Sequence, residues 1–80
     1  MQTVDYKAKY LKEHFSDCTF GGYDDNLTCY DIGLNEGFAH VDFNNLNDVI
    51  EVKLFNNDSN EIARVQFNDI NLVIDYLYNK

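Results

Sequence analysis

VIEVKLFNNDSNEIARVQF, residues 49–67, is the stretch that decides the fold. Ile50, Val52 and Leu54 alternate with Glu51 and Lys53. After a polar break, Ala63, Val65 and Phe67 alternate with Arg64 and Gln66. A period of two with one apolar face predicts a pair of strands, and Asn56 to Asn60 is turn chemistry between them. The outer face mixes signs through Glu51, Lys53, Glu61 and Arg64, which suits cross-strand pairing on a solvated sheet. A sheet with one apolar face needs a cover, so the flanking sequence is read for strands that extend it and helices that bury it.

Upstream, Phe38 to Phe43 alternates again, with Ala39, Val41 and Phe43 on one face and Phe38, His40 and Asp42 on the other. Asn44 to Asp48 is a polar turn before Val49 to Phe55, and Gly33 through Gly37 is another. Leu27 to Ile32 and Cys18 to Tyr23 read as a hairpin joined by Asp24-Asp25-Asn26, with Gly21-Gly22 marking a bulge in its first strand. At the N-terminus, Thr3 is placed as an N-cap. Val4, Ala8, Leu11 and Phe15 then form the stripe of an amphipathic helix over about residues 3–15, with Lys7, Lys9 and Lys12 facing mostly away. At the other end, Asn68 is placed as the cap of a closing helix, with Asp69 in its first turn and Ile70, Val73, Ile74 and Leu77 as its apolar stripe. The expectation is an α+β fold in one domain, residues 1–80: an N-terminal helix, about five antiparallel strands, and a C-terminal helix packed with the first on one sheet face.

Charge is the second organising feature. Glu13 to Val52 carries nine acidic residues and no Lys or Arg, and the whole chain has a net charge of −8 on 80 residues. Such a field repels nucleic acid and anionic membrane and attracts a basic partner, with an on-rate that falls as salt rises. Lys codons are common where Asn codons are, so the eleven Asn residues do not account for the missing Lys. Asp24, Asp25, Asp31, Glu36, Asp42 and Asp48 are the carboxylates expected to meet a basic surface, in the positions that phosphates take in a nucleic-acid channel. Tyr23 and Tyr30, set among them, are expected to add apolar contact at the rim, against the plainer reading of a partly buried cross-strand pair.

No catalytic signature is present. Cys29–His40 and Cys18–His14 lack an orienting third group, the acidic field disfavours a thiolate, and Gly21-Gly22 is not followed by the Lys of a phosphate loop. The chain is therefore expected to be no enzyme and to need no cofactor. The metal alternative is a zinc staple from His14, Cys18, Cys29 and His40, whose spacing matches no standard finger. Two cysteines without a framework imply free thiols. The lack of any spanning run or leader implies a cytoplasmic protein off the membrane.

In overall character the chain resembles the small acidic inhibitors encoded by phages and mobile elements, including DNA mimics and anti-CRISPR proteins. The resemblance rests on length, the acidic stretch Glu13–Val52, the Asn-rich turns and the absence of Pro. It covers no motif, so it transfers no functional residue. It implies a non-enzymatic inhibitor whose partner is a basic nucleic-acid-binding protein such as a nuclease or Cas effector. The other reading is a structural or regulatory module, monomeric or homodimeric, that pairs through a sheet edge or a helix face.

Overall fold

A computed structural model describes residues 3–80. The elements run α1 (Val4–His14), β1 (Cys18–Asp24), β2 (Leu27–Gly33), β3 (Phe38–Asn44), β4 (Ile50–Phe55), β5 (Glu61–Phe67) and α2 (Ile70–Tyr78). The five strands form one antiparallel sheet in sequence order, a meander with β1 and β5 at its edges. Both helices lie on one face, where α2 packs against β4 and β5 and also meets α1. No helix among the described residues is long and apolar enough to cross a membrane.

Register explains which face is covered. Tyr30 opposes Val41, Val41 opposes Val52, and Val52 opposes Val65; one residue pair along, Ile32, Ala39, Leu54 and Ala63 line up in the same way. These rows meet Leu11, Ile70, Val73, Ile74 and Leu77 from the helices to make the core. Side chains alternate strictly along a strand, so the intervening residues must all face the other way, and that face has no helix over it.

Local chemistry sets the helix limits. Thr3 accepts a hydrogen bond from the Tyr6 amide at 3.1 Å, and α1 ends where Phe15 turns extended while its amide still donates to Leu11. In α2 the cap is Asp69, one residue later than the expected Asn68. Asp69 is extended, its carboxylate accepts from the Asn71 amide at 2.8 Å, and its charge also favours the positive end of the helix. Lys7 corrects a second expectation. It is 3% exposed, with its ammonium 3.5 Å from Asp48 Oδ1. Positions 4, 7, 8 and 11 share one helical face, and the long aliphatic stem lets a Lys occupy it while its charge reaches the β3–β4 connection.

Two glycines have conformational reasons to be there. Gly22 (φ 114°) follows the bulge between Phe20 and Gly22 in β1. Gly37 (φ 88°) closes the β2–β3 turn where a Cβ would collide with the Phe55 carbonyl oxygen, and its amide donates to Asn57 Oδ1 at 2.8 Å.

Phe43 is fully buried at the centre of this core. Phe43→Ala should cost about 3–5 kcal/mol in urea unfolding, a large part of what a small domain possesses. A loss under 1 kcal/mol would mean that the helices do not close over β3 as described.

Candidate functional site

The face without helices carries a charge network. One cross-strand row is Thr19, Asp31, His40, Lys53 and Arg64; the next is Cys29, Asp42, Glu51 and Gln66. His40 joins the rows, with Nδ1 2.7 Å from Asp31 Oδ1 and Nε2 2.8 Å from Asp42 Oδ1. Lys53 lies 3.4 Å from Asp42 Oδ2 and 3.7 Å from Glu51, and Gln66 donates to Glu51 at 3.2 Å. Lys53 and Arg64 stand side by side as like charges. Each is held by an acid on its own strand, Arg64 by Glu61 at 2.8 Å.

Asp42 is the unusual member. It is 3% exposed, and its Oδ1 makes no hydrogen bond although His40 Nε2 is close. Beside it, Cys29 is buried, with its thiol close to the Asp42 side chain. Burial first, and then the carboxylates of Asp42, Asp24 and Asp31, push the Cys29 thiol up to about 12. Such a thiol keeps its proton at neutral pH and is a poor nucleophile.

A second feature is the end of the sheet where β1 turns into β2. Asp24 and Asp25 are exposed there, and among the described residues neither has an ion-pair partner. Tyr23, next to them, is 77% exposed and stacks edge-on with Phe20 at 5.1 Å. Asp5 and Tyr23 share the rim of an open cavity of about 400 Å³ that also includes Thr28, Tyr30 and Asn45. The neighbouring turn is pinned to this end: the Asn45 amide donates to the Asn26 carbonyl at 2.7 Å, and Thr28 Oγ1 donates to Asn45 Oδ1 at 2.9 Å.

The expected acidic set therefore divides. Asp24 and Asp25 lie at this end of the sheet. Asp48 lies in the β3–β4 connection at the same end but is engaged by Lys7. Asp31 and Asp42 belong to the charge network, and Glu36 sits in the β2–β3 turn at the opposite end, a strand length of roughly 20 Å away. The six do not converge. Tyr30 is no rim residue either: at 8% exposure it packs on Phe20 and Phe43 under the Lys12 ammonium, and burial raises its phenol pKa. The expected Tyr23–Tyr30 pair does not form either: the turn sets Tyr23 opposite Thr28, and beyond the bulge Phe20 opposes Tyr30.

The expected zinc set separates by sheet face. Cys18 opposes Ile32 and packs on the core, and His14 hydrogen bonds Tyr78 on the helix side at 2.7 Å. Cys29 and His40 do meet, with Asp42 as the third donor, which sequence spacing did not suggest. Asp5 and Phe20 were missed at the acidic end as well. Asp5 reads as a helix-dipole residue, and Phe20 comes opposite Tyr30 only through the bulge. Comparison with protein-family models, with curated proteins and with solved structures gives no match.

Chelator-treated protein should resist alkylation at Cys29 near pH 8 and react there once unfolded. The sign of the pH effect follows from the raised thiol. The folded state's preference for the neutral form is complete below the ordinary value of 9 and is lost as pH rises to about 12. Urea midpoints should therefore fall more steeply across that window in the parent than in Cys29→Ala. Equal slopes would contradict the buried, acid-flanked thiol.

Proposed function

We propose that this chain is a non-enzymatic inhibitor that occupies a basic, nucleic-acid-binding surface of a host defence or DNA-processing protein. What supports the reading is the β1–β2 end, where Asp24 and Asp25 are exposed, without ion-pair partners among the described residues, beside a Tyr23 that is 77% exposed. Carboxylates set around a solvent-exposed aromatic offer a basic groove both counter-charge and apolar area. The internal network supports the same division of labour. Asp31, Asp42 and Asp48 are already engaged by His40, Lys53 and Lys7, and of the remaining exposed acids Asp24 and Asp25 are the adjacent pair beside an exposed aromatic, with Asp5 on the neighbouring cavity.

A second reading is favoured by one observation: β1 is an edge strand hydrogen-bonded only to β2, with Phe20 half-exposed on it. Such an edge can accept a strand from a partner or from a second copy. The two readings use the same region and differ in their response to salt.

Tagged protein should capture nucleic-acid-binding proteins from host lysate at low salt and release them to excess duplex DNA. Asp24→Lys with Asp25→Lys should weaken capture by on the order of tenfold or more, because like charges then face each other. Tyr23→Ala should cost about 1–2 kcal/mol of binding. Neither change should move the urea midpoint appreciably. Capture that ignores DNA, salt and the double variant would refute phosphate mimicry and leave the β1 edge as the interface.

A further inference from the structure

We propose that Cys29, His40 and Asp42 form a binding site for a borderline divalent metal ion, with zinc as the ion that the donor set fits. The three residues project from β2 and β3 onto the helix-free face, where Cys29 and Asp42 are directly opposed. One donor atom from each lies within 4.8 Å of the other two. Zinc holds sulfur at about 2.3 Å and nitrogen or oxygen at about 2.0–2.2 Å, which places tetrahedral donors about 3.5 Å apart. Closing on an ion thus asks for about 1 Å of side-chain movement and no change of strand register.

A second observation points to a cation independently of the clustering. Asp42 is almost wholly buried, yet Oδ1 has no hydrogen-bond partner, and His40 Nε2 stands 2.8 Å from it out of alignment. A buried carboxylate oxygen without a partner costs free energy, and an ion between these two atoms would satisfy both. His40 is also held as a ligand needs to be held. Asp31 Oδ1 lies 2.7 Å from Nδ1, so a proton held between them would leave Nε2, the nitrogen beside Asp42, as the ligating atom. A carboxylate behind a ligating imidazole is the usual support of a zinc-bound His.

The charges also close. A dication with the Cys29 thiolate and the Asp42 carboxylate sums to zero, and the Lys53 ammonium stays between the other Asp42 oxygen at 3.4 Å and Glu51 at 3.7 Å. Binding breaks the S–H bond, forms the S–metal bond and releases the proton to solvent. The carboxylates around the site form a negative field that draws a dication in. Asp42 borders a cavity of about 150 Å³ with Leu27, Asn44, Val49, Glu51 and Gln66, which gives the ion a route to the carboxylate. Three protein donors leave a fourth position for water or for an outside ligand. Calcium and magnesium are disfavoured, since both want a shell of oxygens.

The test is titration of the chelator-treated chain with zinc chloride, and with cobalt(II) as a spectroscopic probe. The expected result is one equivalent bound and a thiolate-to-cobalt charge-transfer band. Cys29→Ser should abolish that band, whereas Cys18→Ser and His14→Gln should leave it unchanged. Asp31→Asn should weaken binding by about 10–100-fold, the usual effect of losing the carboxylate behind a ligating His. Should Cys29→Ser fail to fold, Asp31→Asn decides the matter, because Asp31 is only half-buried. No saturable uptake, uptake indifferent to Asp31→Asn, or a band that follows Cys18 or His14 would each overturn the proposal.

Discussion

Asp42 sits on the middle strand of the sheet, on the face that no helix covers, and is nonetheless shielded from water. Its neighbours Val41 and Phe43 are fully buried on the opposite face, so alternation leaves its side chain no other direction. A carboxylate withdrawn from solvent is costly unless partners surround it. Lys53 lies on one Asp42 oxygen and His40 stands beside the other, which is left without a hydrogen bond, and the two bring Asp31 and Glu51 with them. The helix-free face is for this reason an ordered charge network as well as a solvated surface.

That constraint redistributes the acidity of the chain. A tract without Lys or Arg looks, in one dimension, like a single-sign surface. In three dimensions basic residues from outside it fold back onto it. Lys7 reaches Asp48 from α1, and Lys53 reaches Asp42 across the β3–β4 pair. Of the tract's exposed carboxylates, Glu13, Asp17 and Glu36 lie elsewhere, whereas Asp24 and Asp25 stand adjacent where the first hairpin turns, beside Tyr23. The same redistribution places a thiol, an imidazole and a buried carboxylate together in the network, a donor set absent from the helix-covered face.

The fold was largely legible because period two and period 3.6 are both plain in the sequence. Ile50, Val52 and Leu54 and the stripe Ile70, Val73, Ile74 and Leu77 are all buried where their spacing puts them. The Gly21-Gly22 bulge was readable from composition, but its effect was not. The two-residue turn set Tyr23 opposite Thr28, the extra residue brought Phe20 opposite Tyr30, and pairing with Val41 put Tyr30 on the core face in place of the rim. Lys7 was misplaced because its charge masked its helical position, and Asp69 took the cap from Asn68 by offering a carboxylate to the helix end. The site was less legible, since it depends on pairing between strands. Nothing in the spacing of Cys29, His40 and Asp42 shows that β2 and β3 register Cys29 against Asp42, whereas Cys18, alike in sequence, faces the core.

The central claim is the partition of carboxylates between an internal network held by Asp42 and an outward set at the first hairpin. Carbodiimide labelling of the native chain, read residue by residue by mass spectrometry, measures that partition directly. Asp24 and Asp25 should label to saturation while Asp42 remains unmodified and Asp31 lies between them. Labelling of Asp42 as fast as Asp24 in the folded protein would contradict it.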